Sequence, residues 1–116
     1  GGLQTWMLSL AQSLRISGHQ CELFFFTHGN FESLIPNEQP THFGGLAELM
    51  LLVQQQKTDI VHCAASDWEL GVSAVRRLGA KLVLTGHGEV HPCLYSTNSD
   101  ALVGCSQWEG EAQGAT

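Results

Sequence analysis

The stretch TDIVHCAASDWELGVSAVRRLGAKLVLTGHG, residues 58–88, decides the fold because it places a helix pattern between two strand patterns. The strands, DIVHCAA and AKLVLTGHG, are short apolar runs without polar alternation, which is typical of a parallel sheet covered on both faces. Between them, SDWELGVSAVRRLG predicts a helix with Ser66 or Asp67 as its N-cap and Gly79 just past its end. A strand–helix–strand unit of this kind forms a right-handed crossover between parallel strands.

The same alternation continues on both sides of this stretch. Upstream, a helix that ends at Gly18 is predicted by apolar residues at helical spacing, namely Leu3, Trp6, Met7, Leu10 and Leu14. CELFFFT then predicts a buried strand, HGNFESLIPNEQPTHFGG a loop with a short edge strand near Thr41–Phe43, and LAELMLLVQQQ a second helix. Downstream, DALVGCS predicts the last strand and QWEGEAQ a helix capped by Ser106. The fold class is therefore predicted to be α/β with a doubly wound parallel sheet.

A sheet of this kind normally has its first strand at the centre, and the predicted elements lack that strand. A strand directly before Gly1 would complete the pattern. Gly1 and Gly2 would then form a turn whose backbone N–H groups face a phosphate at the positive end of the first helix. A vector-derived scar is the other explanation of a glycine pair, and it does not predict the gap. We therefore expect residues 1–116 to be one partial domain of a longer chain.

Composition excludes several classes of partner. The chain is 43% hydrophobic and 14% charged, as in ordinary globular proteins. The net charge is −6, and the five basic residues are scattered apart from one pair, which argues against nucleic acid or a polybasic membrane patch. No apolar run reaches the length that crosses a bilayer, so the sequence gives no indication of membrane association.

The four cysteines favour a cytoplasmic location over a disulfide framework. Cys21, Cys63 and Cys105 fall in or beside predicted strands, Cys93 is the fourth, and no CxxC pair occurs. A buried free cysteine behaves as a small hydrophobic residue in a reducing compartment.

The candidate site residues follow the predicted strands, because ligands of parallel α/β sheets bind at the carboxyl ends of the strands. His87 lies between two glycines after one strand, where an imidazole can hydrogen-bond a sugar hydroxyl or stabilise charge. A histidine that only caps the strand end explains His87 equally well. His62 ends another apolar strand, where a packed or supporting role is the commoner one. His19, His28 and His42 are assigned no role.

Three other motifs, for metal or dinucleotide binding, do not match this sequence. HGEVHPC lacks the second cysteine of a zinc deaminase, since Leu94, Tyr95 and Ser96 follow Cys93. His87 and His91 would share a face only on a helix, which Gly88 and Pro92 disfavour. The opening GGLQTW does not match the GxGxxG of a dinucleotide site. We therefore expect no metal and no cofactor.

Four segments, in order, resemble motifs of the N-terminal domain of the retaining GT-B glycosyltransferases of family 4. They are GGLQTWMLSLAQSLRISGHQCELFF (1–25), DIVHCAAS (59–66), AKLVLTGHGE (80–89) and ALVGCSQWEGEA (101–112). The resemblance implies half of a GT-B fold, in which a Rossmann-like N-terminal domain holds the acceptor. It also implies a hexosyltransferase that moves a sugar from a nucleotide-sugar donor to an acceptor with retention and without a metal.

The resemblance also implies roles for individual residues. His87 matches the histidine that contacts the transferred sugar near the reaction centre. The positions implied to bind substrate are Gly1 and Gly2 near the donor diphosphate, Thr85 and Gly88 in the loop, Ser106 at the far wall, and His62 in its strand motif. The sequence departs from the family at Ala64, where a second histidine is frequent. The donor-binding C-terminal domain with its glutamate pair is absent from these residues, so we expect this part to be inactive without that partner domain in cis.

Two alternatives remain open. A nucleotide-sugar epimerase has the same two-domain architecture and would release a free epimerised sugar. A non-catalytic Rossmann-like or flavodoxin-like domain would bind a small ligand or a partner protein. A phosphorylated response-regulator version is disfavoured, because Asp59 and Lys81 begin their strands and do not end them.

Overall fold

The structure, a computed structural model, describes residues 2–63, 71–86 and 101–104. These residues form an α/β arrangement of short parallel strands and helices. The chain divides into two compact units, Gly1–Leu49 and Met50–Thr116, and each carries its own sheet. The prediction of an α/β chain with parallel strands is confirmed at this level.

The first helix, α1, spans Gly2–Ile16 and ends as its sequence predicts. Gly18 has a φ of 93°, in the left-handed region that glycine adopts without a Cβ clash. Two hydrogen bonds close the helix end, from the Gly18 N–H to the Arg15 carbonyl at 3.0 Å and from the His19 N–H to the Leu14 carbonyl at 3.0 Å. This pair of bonds is a Schellman motif, which satisfies carbonyls that the helix leaves unpaired.

The two strands of the first unit are β1, Leu23–Phe25, and β2, Thr41–Phe43, and they pair in parallel with Leu23 opposite Thr41. Leu23 and Phe25 are buried and form a core with Ala11 of α1. The edge strand at Thr41–Phe43 is confirmed, whereas the seven-residue strand expected over CELFFFT is three residues long. The partner strand is also three residues long, and Pro40 before it has no N–H with which to extend the pairing.

A 3₁₀ helix, Asn30–Leu34, lies in the loop between β1 and β2. The second α-helix, α2, spans Leu46–Gln56 as predicted. It ends at Lys57, which has a φ of 51° and is the non-glycine residue with positive φ among the described residues. The Thr58 N–H donates to the Val53 carbonyl at 3.1 Å across this turn. Lys57 therefore occupies the same left-handed position at the end of α2 that Gly18 occupies at the end of α1, although Lys57 carries a side chain.

The second unit contains the strands β3, Ile60–Cys63, β4, Lys81–Gly86, and β5, Ala101–Gly104. All are parallel, and β4 lies at the centre. Leu82 and Leu84 of β4 have no exposed surface, as the apolar pattern predicts. The prediction that β3 is buried is wrong for Ile60, which is 60% exposed, and for His62. Within the described residues β3 is one of the two edge strands of this sheet, and an edge strand is less covered than a central one.

In the described part of the segment between β3 and β4, Val72–Leu78 form a 3₁₀ helix where the sequence predicts an α-helix. Three residues per turn place Val72 and Val75 on one face, and both are buried. Gly71 precedes this helix with a φ of 96°, which interrupts the longer predicted helix. Gly79 follows the helix with a φ of 92°, so its predicted place just past the end is confirmed. The predicted N-cap at Ser66 or Asp67 lies outside the described residues.

The described strands form a two-stranded and a three-stranded sheet, and no single doubly wound sheet joins them within the described ranges. The Rossmann-like organisation predicted from the sequence is therefore a proposal.

Candidate functional site

The carboxyl ends of β3 and β4 bring together two of the predicted site residues, His62 and Thr85. His62 lies opposite Val83 in the register, and Thr85 is two residues further along β4. Because side chains alternate along a strand, Thr85 points to the same face as Val83 and reaches His62 diagonally. Nε2 of His62 and Oγ1 of Thr85 are in hydrogen-bond contact.

These two residues differ sharply in burial. Thr85 is only 3% exposed and follows the fully buried Leu84, whereas His62 is an exposed residue of β3. A hydroxyl in such surroundings is costly unless it is hydrogen-bonded. The contact with His62 satisfies the hydroxyl, and it ties an exposed imidazole to the core of the sheet.

The other predicted site residues lie elsewhere or outside the described ranges. Gly2 is the first residue of α1 in the first unit. Gly1, His87, Gly88 and Ser106 are outside the described residues, so their predicted roles stay predictions. The sequence alone does not show that His62 and Thr85 are neighbours. The signal that links them is a polar residue, Thr85, directly after the apolar run of β4, in a strand whose parallel register faces His62.

A second polar cluster, which the sequence analysis missed, follows the carboxyl end of β1. Nδ1 of His28 lies 3.1 Å from each carboxylate oxygen of Glu32, and the Gly29 N–H donates to Oε2 of Glu32 at 2.9 Å. The hydrogen bond from His28 is the main reason that the pKa of Glu32 is lowered, and the Gly29 N–H adds to it. The signal that could have revealed this cluster is a glutamate three residues after the N-cap, which is the half of a capping box in which the glutamate accepts the N-cap N–H; Gly29 has no side chain to supply the other half.

His42, which was assigned no role, makes a side-chain hydrogen bond to Glu22, the residue directly before β1. Its Nε2 lies 2.7 Å from Oε1 of Glu22, and both side chains are partly exposed. His42 lies opposite Phe24 in the register, so Glu22 reaches it from two residues earlier along the neighbouring strand. This pair links the two strands of the first unit.

In the part of the chain that the structure describes, the other metal-ligating and nucleophilic side chains offer little further chemistry. No three His, Cys, Asp or Glu side chains gather there as a metal ion would need. Cys21 is half-buried, and burial raises the pKa of its thiol despite the opposing effect of Arg15. A raised pKa keeps this thiol protonated and unreactive. None of the described helices is long and apolar enough to cross a membrane.

Comparison with known proteins identifies no relative. No protein-family model matches the chain, and neither a curated protein nor a solved structure matches it. Fold, site and motif resemblance are therefore the grounds on which a function is proposed.

Proposed function

We propose that this chain is the N-terminal, acceptor-side part of a retaining GT-B glycosyltransferase that transfers a hexosyl group from a nucleotide-sugar to an acceptor. The observation that carries the proposal is the contact between His62 and Thr85 at the carboxyl edge of a parallel sheet. Ligands bind at that edge in parallel α/β sheets. Both residues belong to the segments DIVHCAAS and AKLVLTGHGE, which resemble motifs of the family.

The strand orders support the finer fold assignment, a Rossmann-like doubly wound sheet that lacks its first strand. The first unit has the order β1-β2, and the second has β3-β4-β5. In a doubly wound sheet the first strand of the fold lies at the centre, flanked by the second strand on one side and the fourth on the other. Leaving out that central strand gives a pair and a triplet of parallel strands, which is the observed division. A strand encoded before Gly1 would restore the sheet.

The chemistry of the proposed reaction suits the residues that the resemblance assigns. The departing nucleoside diphosphate gathers negative charge, which backbone N–H groups at a helix N-terminus stabilise without a metal. Gly1 and Gly2 would supply such groups, Thr85 and Gly88 would shape the neighbouring loop, and Ser106 would line the opposite wall. His87 would contact the transferred sugar. A C-terminal domain in cis would bind the donor, so residues 1–116 alone would not turn over. A cytoplasmic location, where nucleotide-sugars are available to such enzymes, belongs to the same proposal.

The proposal is tested first by the coding sequence on both sides of this span. We expect an apolar strand before Gly1 and, after Thr116, a second α/β domain with a paired-glutamate loop. The complete protein is then assayed for release of nucleoside diphosphate from nucleotide-sugars, with and without sugar acceptors.

Substitution of His87 tests the role of the proposed catalytic residue. We expect His87→Ala to reduce kcat by roughly a hundredfold or more while the thermal unfolding temperature is unchanged. His91→Ala is the matched control, since His91 is assigned no role. Full activity of His87→Ala would refute its catalytic role. Release of a free epimerised sugar without an acceptor would identify an epimerase, and no nucleotide-sugar binding at all would identify a non-catalytic domain.

A further inference from the structure

We propose that Thr85 is a positioning residue for His62, and that its buried hydroxyl holds the imidazole in one tautomer and one orientation. That the imidazole hydrogen-bonds a sugar hydroxyl rests on the proposed function. The positioning of the ring by Thr85 does not. The starting observation is the hydrogen-bond contact between Oγ1 of Thr85 and Nε2 of His62.

The burial of Thr85 indicates which atom donates in this contact. The residue is 3% exposed, so water has little access to its hydroxyl, and its hydrogen needs an acceptor within the protein. Among the described residues Nε2 of His62 is the partner that the structure gives this hydroxyl, and the need of the hydroxyl hydrogen for an acceptor leads us to assign Nε2 as the acceptor. An imidazole that accepts at Nε2 carries its proton at Nδ1 when neutral. Thr85 therefore selects the Nδ1–H tautomer, which is the less favoured one for a free histidine side chain in water.

The strand positions explain why a threonine is needed here. Thr85 lies on the central strand β4, whose residues Leu82 and Leu84 are fully buried, whereas His62 is exposed on the edge strand β3. A valine would fill the volume of Thr85 without the cost of a buried hydroxyl. The role of the Thr85 hydroxyl is therefore the hydrogen bond that it makes with His62. It gives an exposed side chain the fixed ring that a ligand-binding imidazole requires.

The tautomer is measured directly by long-range ¹H–¹⁵N correlation spectra of the protein labelled with [¹⁵N]histidine. His62→Gln assigns the signals of His62. In the wild-type protein we expect the neutral ring of His62 to be a single Nδ1–H tautomer. A mixture of tautomers in the wild type, or a ring in the Nε2–H form, would overturn the proposal without any variant being needed.

Substitution at Thr85 then tests the cause. Thr85→Val is expected to release the ring into a mixture dominated by the Nε2–H form, and Thr85→Ser is expected to restore the single tautomer. Thr41→Val is the matched control, because the Thr41 hydroxyl donates to the Gln39 carbonyl at 3.1 Å on the other sheet. The signals of the other histidines report whether each variant is folded. An unchanged His62 ring in Thr85→Val would refute the positioning role.

A double-mutant cycle in the complete enzyme separates this proposal from the proposed function. If His62 contacts the acceptor sugar, Thr85→Val lowers kcat roughly tenfold to a hundredfold, with no further loss when it is added to His62→Gln. A ring that loses its tautomer in Thr85→Val while turnover stays unchanged would leave the positioning role in place and refute the part of His62 in sugar transfer.

Discussion

The imidazole of His28 lies almost parallel to the ring of Phe43, with the ring centroids 4.2 Å apart and the planes inclined by 13°. His28 follows β1 and Phe43 ends β2, so the stack joins the carboxyl ends of the two strands. Glu32 holds the same imidazole through Nδ1 and also accepts the Gly29 N–H. One side chain therefore connects the loop after β1, the 3₁₀ helix at Asn30–Leu34 and the edge strand.

Substitution of Glu32 is expected to make the thermal stability of the protein less dependent on acid pH. The pKa of Glu32 is lowered in the folded protein, chiefly by the hydrogen bond from His28. A carboxyl with a lowered folded pKa stabilises the fold above its unfolded pKa, and this contribution is lost as the pH falls through the folded pKa. Glu32→Gln should therefore unfold at a lower temperature than wild type at pH 7, and the gap should close at pH 3.

The matched control is Glu38→Gln, because Glu38 is an exposed carboxyl in the same loop. Thermal unfolding of wild type and both variants is followed by circular dichroism at pH 7, 5, 4 and 3. A gap for Glu32→Gln that is the same at every pH would contradict the assignment.

The ends of the helices provide a second prediction, in which one substitution stabilises the protein. Lys57 ends α2 with a φ of 51°, a conformation that costs a residue with a side chain about 1–2 kcal/mol. Glycine removes this cost. It also increases the conformational entropy of the unfolded chain, which lowers the free energy of unfolding by about 0.4–1 kcal/mol. Lys57→Gly should therefore raise the free energy of unfolding by about 0.5–1 kcal/mol.

The converse substitutions test the same argument at the other helix ends. Gly18 and Gly79 have φ of 93° and 92°, and a Cβ built on either glycine meets no atom within 4 Å. Only backbone conformation opposes alanine there, and the entropy that alanine removes from the unfolded chain offsets part of that cost, so Gly18→Ala and Gly79→Ala should each lose about 0.5–1 kcal/mol. Urea denaturation measures all three variants. A loss of stability in Lys57→Gly would show that the Lys57 side chain stabilises the fold by more than its left-handed backbone conformation costs.

The sequence predicted best those parts of the fold that depend on a few neighbouring residues. Gly18 and Gly79 end their helices because a left-handed residue is required there, and the sequence alone identifies both. The buried strand β4 was equally clear from its apolar run. The length of β1 was not predictable in the same way, because pairing is limited by the partner strand between Pro40 and Gly44.

The candidate site was less predictable because it depends on register. His62 and Thr85 are 23 residues apart, and only the parallel pairing of β3 with β4 makes them neighbours. The exposure of Ile60 and His62 also follows from the edge position of β3 among the described strands, which an apolar sequence does not reveal. The cluster around His28 needs the Phe43 ring from another strand, so its spacing alone suggested no role.

The core of the second unit provides a third prediction. Leu84 has no exposed surface on the central strand, so Leu84→Ala removes buried methyl groups and leaves a cavity. We expect a loss of about 2–5 kcal/mol in the free energy of unfolding. Ile60→Ala is the control on the neighbouring strand, since Ile60 is 60% exposed and should lose far less. Urea denaturation compares the two, and equal losses would contradict the burial of β4.

Gln39 provides the last prediction, which concerns a buried polar side chain that supports the loop before β2. It is 5% exposed, and its Nε2 donates to the Cys21 carbonyl at 3.0 Å and to the Pro40 carbonyl at 2.9 Å. Gln39→Leu retains much of the volume but leaves the Cys21 carbonyl without this donor, while the Pro40 carbonyl keeps the Leu23 N–H. The expected loss is about 1–3 kcal/mol, because a buried acceptor that loses its partner retains its desolvation cost.

The matched control for Gln39 is Gln54→Leu, at an exposed position of α2. Urea denaturation measures both variants, and we expect Gln54→Leu to change the free energy of unfolding by less than about 0.5 kcal/mol. Hydrogen exchange gives a second readout, since the Leu23 N–H donates to the Pro40 carbonyl at 2.9 Å. Its protection should fall in Gln39→Leu if the amide holds the Pro40 carbonyl in place. Unchanged protection together with unchanged stability would show that the Gln39 amide does not support the start of the β1–β2 pairing.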